Sequence, residues 1–205
     1  MAANDQDTRD DRDERELLEK IVWPVRTDRL SLRRATADDA DTIWSWRRLE
    51  EVSRWLTFWC TDRDEFAAKH LTAARLGRTL LIERDGAAVG ELMLRITDAW
   101  AQAEVADHGK GLQAELGWVL APQHTGHGYA TEIVEAALRL CFVDLGMRRV
   151  FADCFADNTA SWRLMERVGM RRELHSVGES LHRDGTWRDG YGYAILAGEW
   201  FDRQR

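Results

Sequence analysis

The sequence predicts an α/β fold built on a mixed β-sheet. Three observations carry that expectation. Apolar periodicities of about two and of 3.6 residues alternate along the chain in the order strand, two helices, three strands, helix, strand, helix, two strands. An Asp85-Gly86 turn joins two apolar runs, as a hairpin requires. Glycines at 126 and 128 separate a strand from an amphipathic helical stretch.

Each element follows from local chemistry. Leu30 and Leu32 alternate with polar residues and mark a first strand. Thr36 and the acids after it read as a helix start, and Ile43, Trp44 and Trp46 ride on that helix. Residues 62–76 read as a second helix, with Phe66, Leu71 and Ala74 toward the core. Strands follow at 80–84, 88–94 and 114–120, the last stopped at Ala121-Pro122. A helix over 129–143 places Ile133, Ala137, Leu140 and Cys141 on one face and closes at Gly146. Residues 150–156 are apolar on both faces except at Asp153, as in a central strand. Asn158 and Thr159 can cap a helix running to Val168, with Ser161, Leu164, Met165 and Val168 on its buried stripe. Late strands fit 170–177 and 191–196.

The chain of 205 residues suits one domain, taken as residues 23–205, behind a charged tail at 1–22 that gives no sign of packing. Its net charge of -7 disfavours nucleic acid, which needs a basic stripe, and suits a cationic amine. No apolar run is long enough to span a membrane, and the charged N-terminus lacks the apolar core of a signal peptide. Cys60, Cys141 and Cys154 are sparse and unspaced, so neither a disulfide framework nor a metal site is expected, and the reading is a cytoplasmic protein with buried thiols.

Residues 123–128, Gln123-His124-Thr125-Gly126-His127-Gly128, stand at a strand-to-helix turn. The first amides of a helix have no carbonyl one turn back, and the helix dipole adds positive potential there. Glycines let a bulky pyrophosphate approach that backbone. A bare G-x-G serves equally as an ordinary tight turn. A dinucleotide fingerprint is excluded by Thr131, and a P-loop by the absence of Gly-Lys-Ser/Thr.

The motifs around this turn are more specific together. Ala114-Glu115-Leu116-Gly117-Trp118-Val119-Leu120-Ala121-Pro122, followed by Gln123-x-x-Gly126-x-Gly128-Tyr129-Ala130, resembles motif A of the GNAT N-acetyltransferases, and is most similar to their RimJ/RimL-type branch. Asn158-Thr159-Ala160-Ser161, Leu164 with Met165, Val168-Gly169-Met170, and Asp184-Gly185-Thr186-Trp187 resemble later motifs in the same order. The resemblance implies a sheet of about seven strands, splayed at a cofactor cleft and flanked by four helices. It implies acetyl-CoA as acyl donor, with cofactor contacts from Val119, Leu120, Gln123, His124, Thr125, Gly126, His127, Gly128, Tyr129, Ala130 and Asn158.

The implied activity is transfer of an acetyl group to a primary amine, on a protein N-terminus or a small molecule. Alternatives are a non-catalytic acyl-CoA-binding module, or use of another acyl donor such as succinyl-CoA. Glu115 is the candidate base and Ser161 the candidate acid; each also reads as a structural residue, salt-bridged or satisfying the backbone. The tyrosine many family members use as acid is replaced by Met165, which favours the non-catalytic alternative. His124 and His127 also read as exposed loop residues. Trp55, Trp59 and Trp100 are candidates for the acceptor pocket, with core or interface packing as the plainer reading. Asp62 and Glu91 could attract an amine, with ordinary surface charge as the plainer reading. The hairpin around Trp187 is a candidate dimer surface.

Overall fold

A β-sheet is stable only when its apolar faces are covered, and this chain covers both. In the computed structural model, which describes residues 17–205, eight strands lie in the order β1-β2-β3-β4-β5-β6-β8-β7. They are β1 (Val25–Arg26), β2 (Ser31–Arg34), β3 (Thr79–Arg84), β4 (Ala87–Thr97), β5 (Gln113–Leu120), β6 (Arg149–Phe155), β7 (Arg171–Leu181) and β8 (Trp187–Leu196). All neighbours are antiparallel except β5 and β6. The mixed α/β architecture is therefore as expected, with the short β1 as an added edge.

The helices are α1 (Ala40–Arg47), α2 (Glu50–Ser53), α3 (Arg63–His70), α4 (Ala73–Arg78), α5 (Tyr129–Arg139), α6 (Thr159–Arg167) and α7 (Ala197–Arg203). One face of the sheet packs Leu80, Ile82, Leu92, Leu94, Ala114 and Leu116 against α5 and α6, through Ile133, Ala137, Leu164 and Met165. The other face packs Leu81 and Val119 under α1 and α3, through Ile43, Trp46 and Phe66. Alternation along β5 thus sends Ala114 and Leu116 one way, and Glu115, Gly117 and Val119 the other.

Three boundaries differ from the sequence expectation. The helix over 62–76 is two helices. The Thr72 side chain accepts the Arg75 amide and starts a new helix, while Leu71 leaves helical geometry at φ -98°, ψ 19°. The charged tail ends earlier than residue 22. Leu18 is fully buried, and Leu17, Ile21 and Trp23 pack beside it on the main core; residues 1–16 lie outside the described residues. The late strands extend to Leu181 and back to Trp187, forming a long hairpin that leaves Val177, Leu181 and Trp187 exposed.

A capping box of Thr36 and Asp39 closes the 3-10 turn Ala37–Asp39 that leads into α1. The Asp39 carboxylate accepts the Thr36 amide (2.8 Å) and takes two hydrogen bonds from the Arg33 guanidinium (2.7 and 2.8 Å). Arg33 also reaches Glu83 on β3 (2.7 Å), so one cation ties β2, β3 and the start of α1 together.

Candidate active site

β5 and β6 share only three register pairs: Gln113↔Arg149, Ala114↔Val150 and Glu115↔Phe151. Beyond Glu115 they part, although β5 remains paired with β4 out to Leu120 and β6 with β8 out to Phe155. Two strand edges therefore face one another across a slot with no ladder between them. Unpaired strand amides and carbonyls are strong hydrogen-bonding groups, so the slot can accept an extended, amide-bearing chain.

At one end of this slot stands the glycine turn. A 3-10 turn, Pro122–His124, is closed by Thr125, whose amide (3.2 Å) and hydroxyl (2.8 Å) both donate to the Pro122 carbonyl. Gly126 and Gly128 both take φ of 78°. Gly128 is the N-cap of α5 and has no side chain to occupy the amides behind it. Gln123, Thr125, Gly126, His127 and Gly128 are exposed, His124 and Ala130 are half-buried, and Tyr129 is buried. The exposed backbone at a helix start suits an anion.

Residues outside the turn hold it. The Arg29 guanidinium donates to the His127 carbonyl (3.0 Å) and to Glu132 on α5 (2.7 Å), and lies 4.9 Å from the Tyr129 ring centre. Arg84 approaches the same ring at 5.5 Å. Glu132 also accepts from the Thr27 hydroxyl (2.6 Å) and the Arg29 amide (3.0 Å). Burial alone would raise the Glu132 carboxyl, but these hydrogen bonds outweigh it and hold it below the usual carboxylate range. The bracing by Arg29 and Glu132 was not anticipated from sequence, because the two are 103 residues apart.

On the α1–α4 side of the sheet, a cavity of about 600 Å³ reaches from the slot to Arg75 and Thr79. Glu115, Gly117 and Val119 of β5 line it, with Glu91, Met93 and Arg95 of β4, and Asp153 of β6. Glu115 is ion-paired with Arg95, and Glu91 with Arg47. Asp153 has neither kind of partner among the described residues. It keeps access to solvent through the cavity, yet the walls still desolvate it, and Glu115 adds a like charge; both raise its carboxyl above the ordinary value. In the sequence, Asp153 stands out only as a polar exception in a central strand.

The two residues chosen as acid and base lie on opposite faces of the sheet. Ser161 is half-buried on α6 and hydrogen-bonds the Cys154 thiol, which burial pushes up to about 11. Cys154 follows Asp153 on β6, so its side chain points to the α6 face, and the slot runs between the two groups. Asn158 is the N-cap of α6, its side chain accepting the Ser161 amide at 3.3 Å. Met165 is buried beneath it.

The tryptophans separate. Trp55 lines the cavity, 5.7 Å from the Phe155 ring and 5.3 Å from His182. Trp59 lies instead in a second, open hollow with Leu49, Arg54 and Arg183, and its indole donates to the Arg48 carbonyl (3.1 Å). Trp100 is 93% exposed, away from both.

A splayed parallel pair beside a glycine-capped helix, with carboxylates facing the slot, defines the class of acyl-CoA-dependent acyltransferases. The model of the acetyltransferase (GNAT) domain matches residues 29–171, and the chain belongs to that family. It is 27% identical over 179 residues to the uncharacterized N-acetyltransferase YoaA of Bacillus subtilis, a match covering 85% of this chain and 98% of that one. It is 38% identical over 86 residues to the uncharacterized N-acetyltransferase YnaD of the same organism, covering 42% of this chain and half of YnaD. Among solved structures, a GNAT-family acetyltransferase from Bacillus anthracis aligns over 86% of this chain and all of its own, at 27% identity and TM-score 0.68. Mycobacterium smegmatis RimJ, solved in complex with CoA-disulfide, aligns over 86% of this chain and 90% of its own, at 25% identity and TM-score 0.64. The protein is thus an acyl-CoA-dependent acetyltransferase with a GNAT fold. Among the described residues no helix is long and apolar enough to cross a membrane.

Proposed function

We propose that this enzyme moves an acetyl group from acetyl-CoA to a primary amine by direct attack, with the pyrophosphate on residues 123–128 and the pantetheine arm along the slot beside Val119 and Leu120. The supporting observation is the parting of β5 and β6 after the Glu115–Phe151 pair, directly beside the glycine-capped start of α5. The amine nitrogen attacks the thioester carbonyl carbon; the C–N bond forms, the C–S bond breaks, and CoA leaves as thiolate. An ammonium cannot attack, so a proton must first leave the amine.

Two carboxylates reach that place, and their surroundings divide the roles. Glu115 is engaged by Arg95, so its carboxylate already faces a guanidinium. Asp153 lacks such a partner and its carboxyl is raised, so it takes the proton, directly or through a water. Glu115 with Arg95 supplies a fixed dipole beside it. On the α6 side, Ser161 can return a proton to sulfur, with the neutral Cys154 thiol behind it. A thiolate leaving group with an ordinary pKa near ~8.5 needs little acid help, so Met165 in the tyrosine position does not preclude turnover. Asn158, at the start of α6, borders the arm.

The test is incubation with acetyl-CoA and a panel of amines, following free CoA and the mass of the acceptor. Release of CoA with acetylated amine is expected; binding of CoA with no product from any amine rejects the catalytic reading. The cofactor placement has its own test. Gly128→Val forces a branched side chain into a left-handed backbone at φ 78°, with its Cβ 3.5 Å from Arg29. Strain of about 1–2 kcal/mol and the displaced loop lower CoA affinity roughly tenfold, read by titration calorimetry. Unchanged affinity would place the pyrophosphate elsewhere.

A further inference from the structure

The charges in the acceptor cavity are not those of a polycation site. Four arginines line it (Arg47, Arg75, Arg78 and Arg95) against three carboxylates (Glu91, Glu115 and Asp153). The Arg47–Glu91 and Arg95–Glu115 pairs neutralise one another. Two lining groups have no ionic partner among the described residues, Asp153 beside the slot and Arg75 on α4. Asp153 is on β6, whereas α4 leads directly into β3 at Thr79. The intervening sheet, β3 to β6, spans three inter-strand spacings, about 14 Å. The cavity is therefore bipolar along its length.

The Arg75 end carries a second, independent mark. His70, stacked on Phe66 at 4.6 Å, lines the cavity there, and its Nε2 is buried without a hydrogen-bond partner. A buried polar atom without a partner is costly and calls for one. Arg47 and Arg75 both face this ring, and with burial as the larger cause they push the imidazole down to about 3. The ring is thus neutral at ordinary pH. In the tautomer with hydrogen on Nε2 it is a donor, beside the Arg75 guanidinium.

We infer that the acceptor is an amine that also bears a carboxylate, held at the Arg75–His70 end while its amine meets Asp153. This rests on the transferase reading above and narrows it. A carboxylate there accepts a charge-assisted hydrogen bond from Arg75 and one from His70. A polyamine would bring a second ammonium against Arg75, and Glu91, the carboxylate beside Arg47, is already paired.

The experiment compares ω-amino carboxylates of increasing chain length with their methyl amides, with diamines of matching length and with spermidine, following CoA release by wild type, Arg75→Gln and Arg75→Lys. The best carboxylate exceeds its amide and the matching diamine at least about tenfold in kcat/KM, through KM. Arg75→Gln removes that preference while leaving the amides within about twofold, and Arg75→Lys restores part of it. Arg75 is exposed and has no ion-pair partner among the described residues, so these changes leave folding intact. Faster turnover of diamines or spermidine than of carboxylates overturns the inference alone, as does a preference that survives Arg75→Gln. Absence of CoA release with every acceptor overturns the transferase reading and this inference with it.

Discussion

Asp153→Asn lowers kcat by about 10²- to 10³-fold while leaving the affinity for CoA within twofold, because general base catalysis supplies gains of that order. The substitution preserves size and removes only the ability to take a proton. Asp153 points into the cavity, without an ion-pair partner among the described residues, so no stabilising contact is lost with its charge. The pH profile separates this role from a structural one. The ionised carboxylate is the working form, and the walls and Glu115 raise its carboxyl. Wild-type rate therefore falls as pH drops through that raised value, and the fall begins at a higher pH than for an unperturbed aspartate. In Asp153→Asn the residual rate loses this acid limb. Glu115→Gln removes the like charge, so it moves the limb to lower pH, and it leaves Arg95 without its carboxylate. If the larger loss and the loss of the limb belong to Glu115→Gln instead, Glu115 is the base. Stopped-flow or steady-state rates across pH decide between them.

The frame of this site was legible in sequence, and its contents were only partly so. The glycine turn, the strand before it and the helix after it are consecutive, so local chemistry specifies them: Gly126 and Gly128 take positive φ, and Asn158 caps α6 as expected. Side-chain parity along β5 and β6 puts Glu115 and Asp153 on one face of the sheet and Cys154, beside Ser161 of α6, on the other. What local pattern cannot supply is where β5 and β6 cease to pair. That depends on a register between residues 36 apart, and it decides whether Asp153 is a buried exception or a cavity wall. The same applies to Arg29, which reaches the glycine turn from the first hairpin. The tryptophans show the limit of residue type as a guide. Trp55 reaches the cavity, while Trp59 and Trp100 stand in the same kinds of loop and do not. Two misread boundaries did have a local signal. Thr72 is a helix cap within a stretch read as continuous, and Leu17-Leu18 is an apolar pair within a charged run.

The cavity's basic end depends on where α1 sits, and the second large effect follows from what holds it. Asp39→Ala destabilises the fold by about 2–4 kcal/mol, seen as an earlier midpoint in urea denaturation and a Tm lower by roughly 5–12 °C. Three contacts go at once: the paired hydrogen bonds from Arg33, the Thr36 amide, and the Thr36 hydroxyl at 3.2 Å. Removing one partner of a buried ion pair costs about 3–5 kcal/mol when the other charge is stranded. Here the cost is smaller, because the Arg33 side chain is 32% exposed and retains Glu83 at 2.7 Å. The effect depends on pH in a fixed direction. Hydrogen bonds from Arg33 first, and then from Thr36, hold the Asp39 carboxyl below its ordinary value despite burial. A carboxyl depressed in the folded state contributes its stability in full above the unfolded value, near pH ~4, and loses it as pH falls toward the folded value. Wild type and Asp39→Ala therefore differ most from about pH 5 to 8 and converge in stronger acid. α1 carries Arg47 at its last position, where it pairs with Glu91 in the cavity floor. Loosening the cap consequently raises KM for the amine acceptor at temperatures well below the melting transition, with KM for acetyl-CoA little changed. A variant with wild-type stability at pH 7, or one whose deficit grows on acidification, would show that Arg33 and Asp39 do not act as the clasp between β2, β3 and α1.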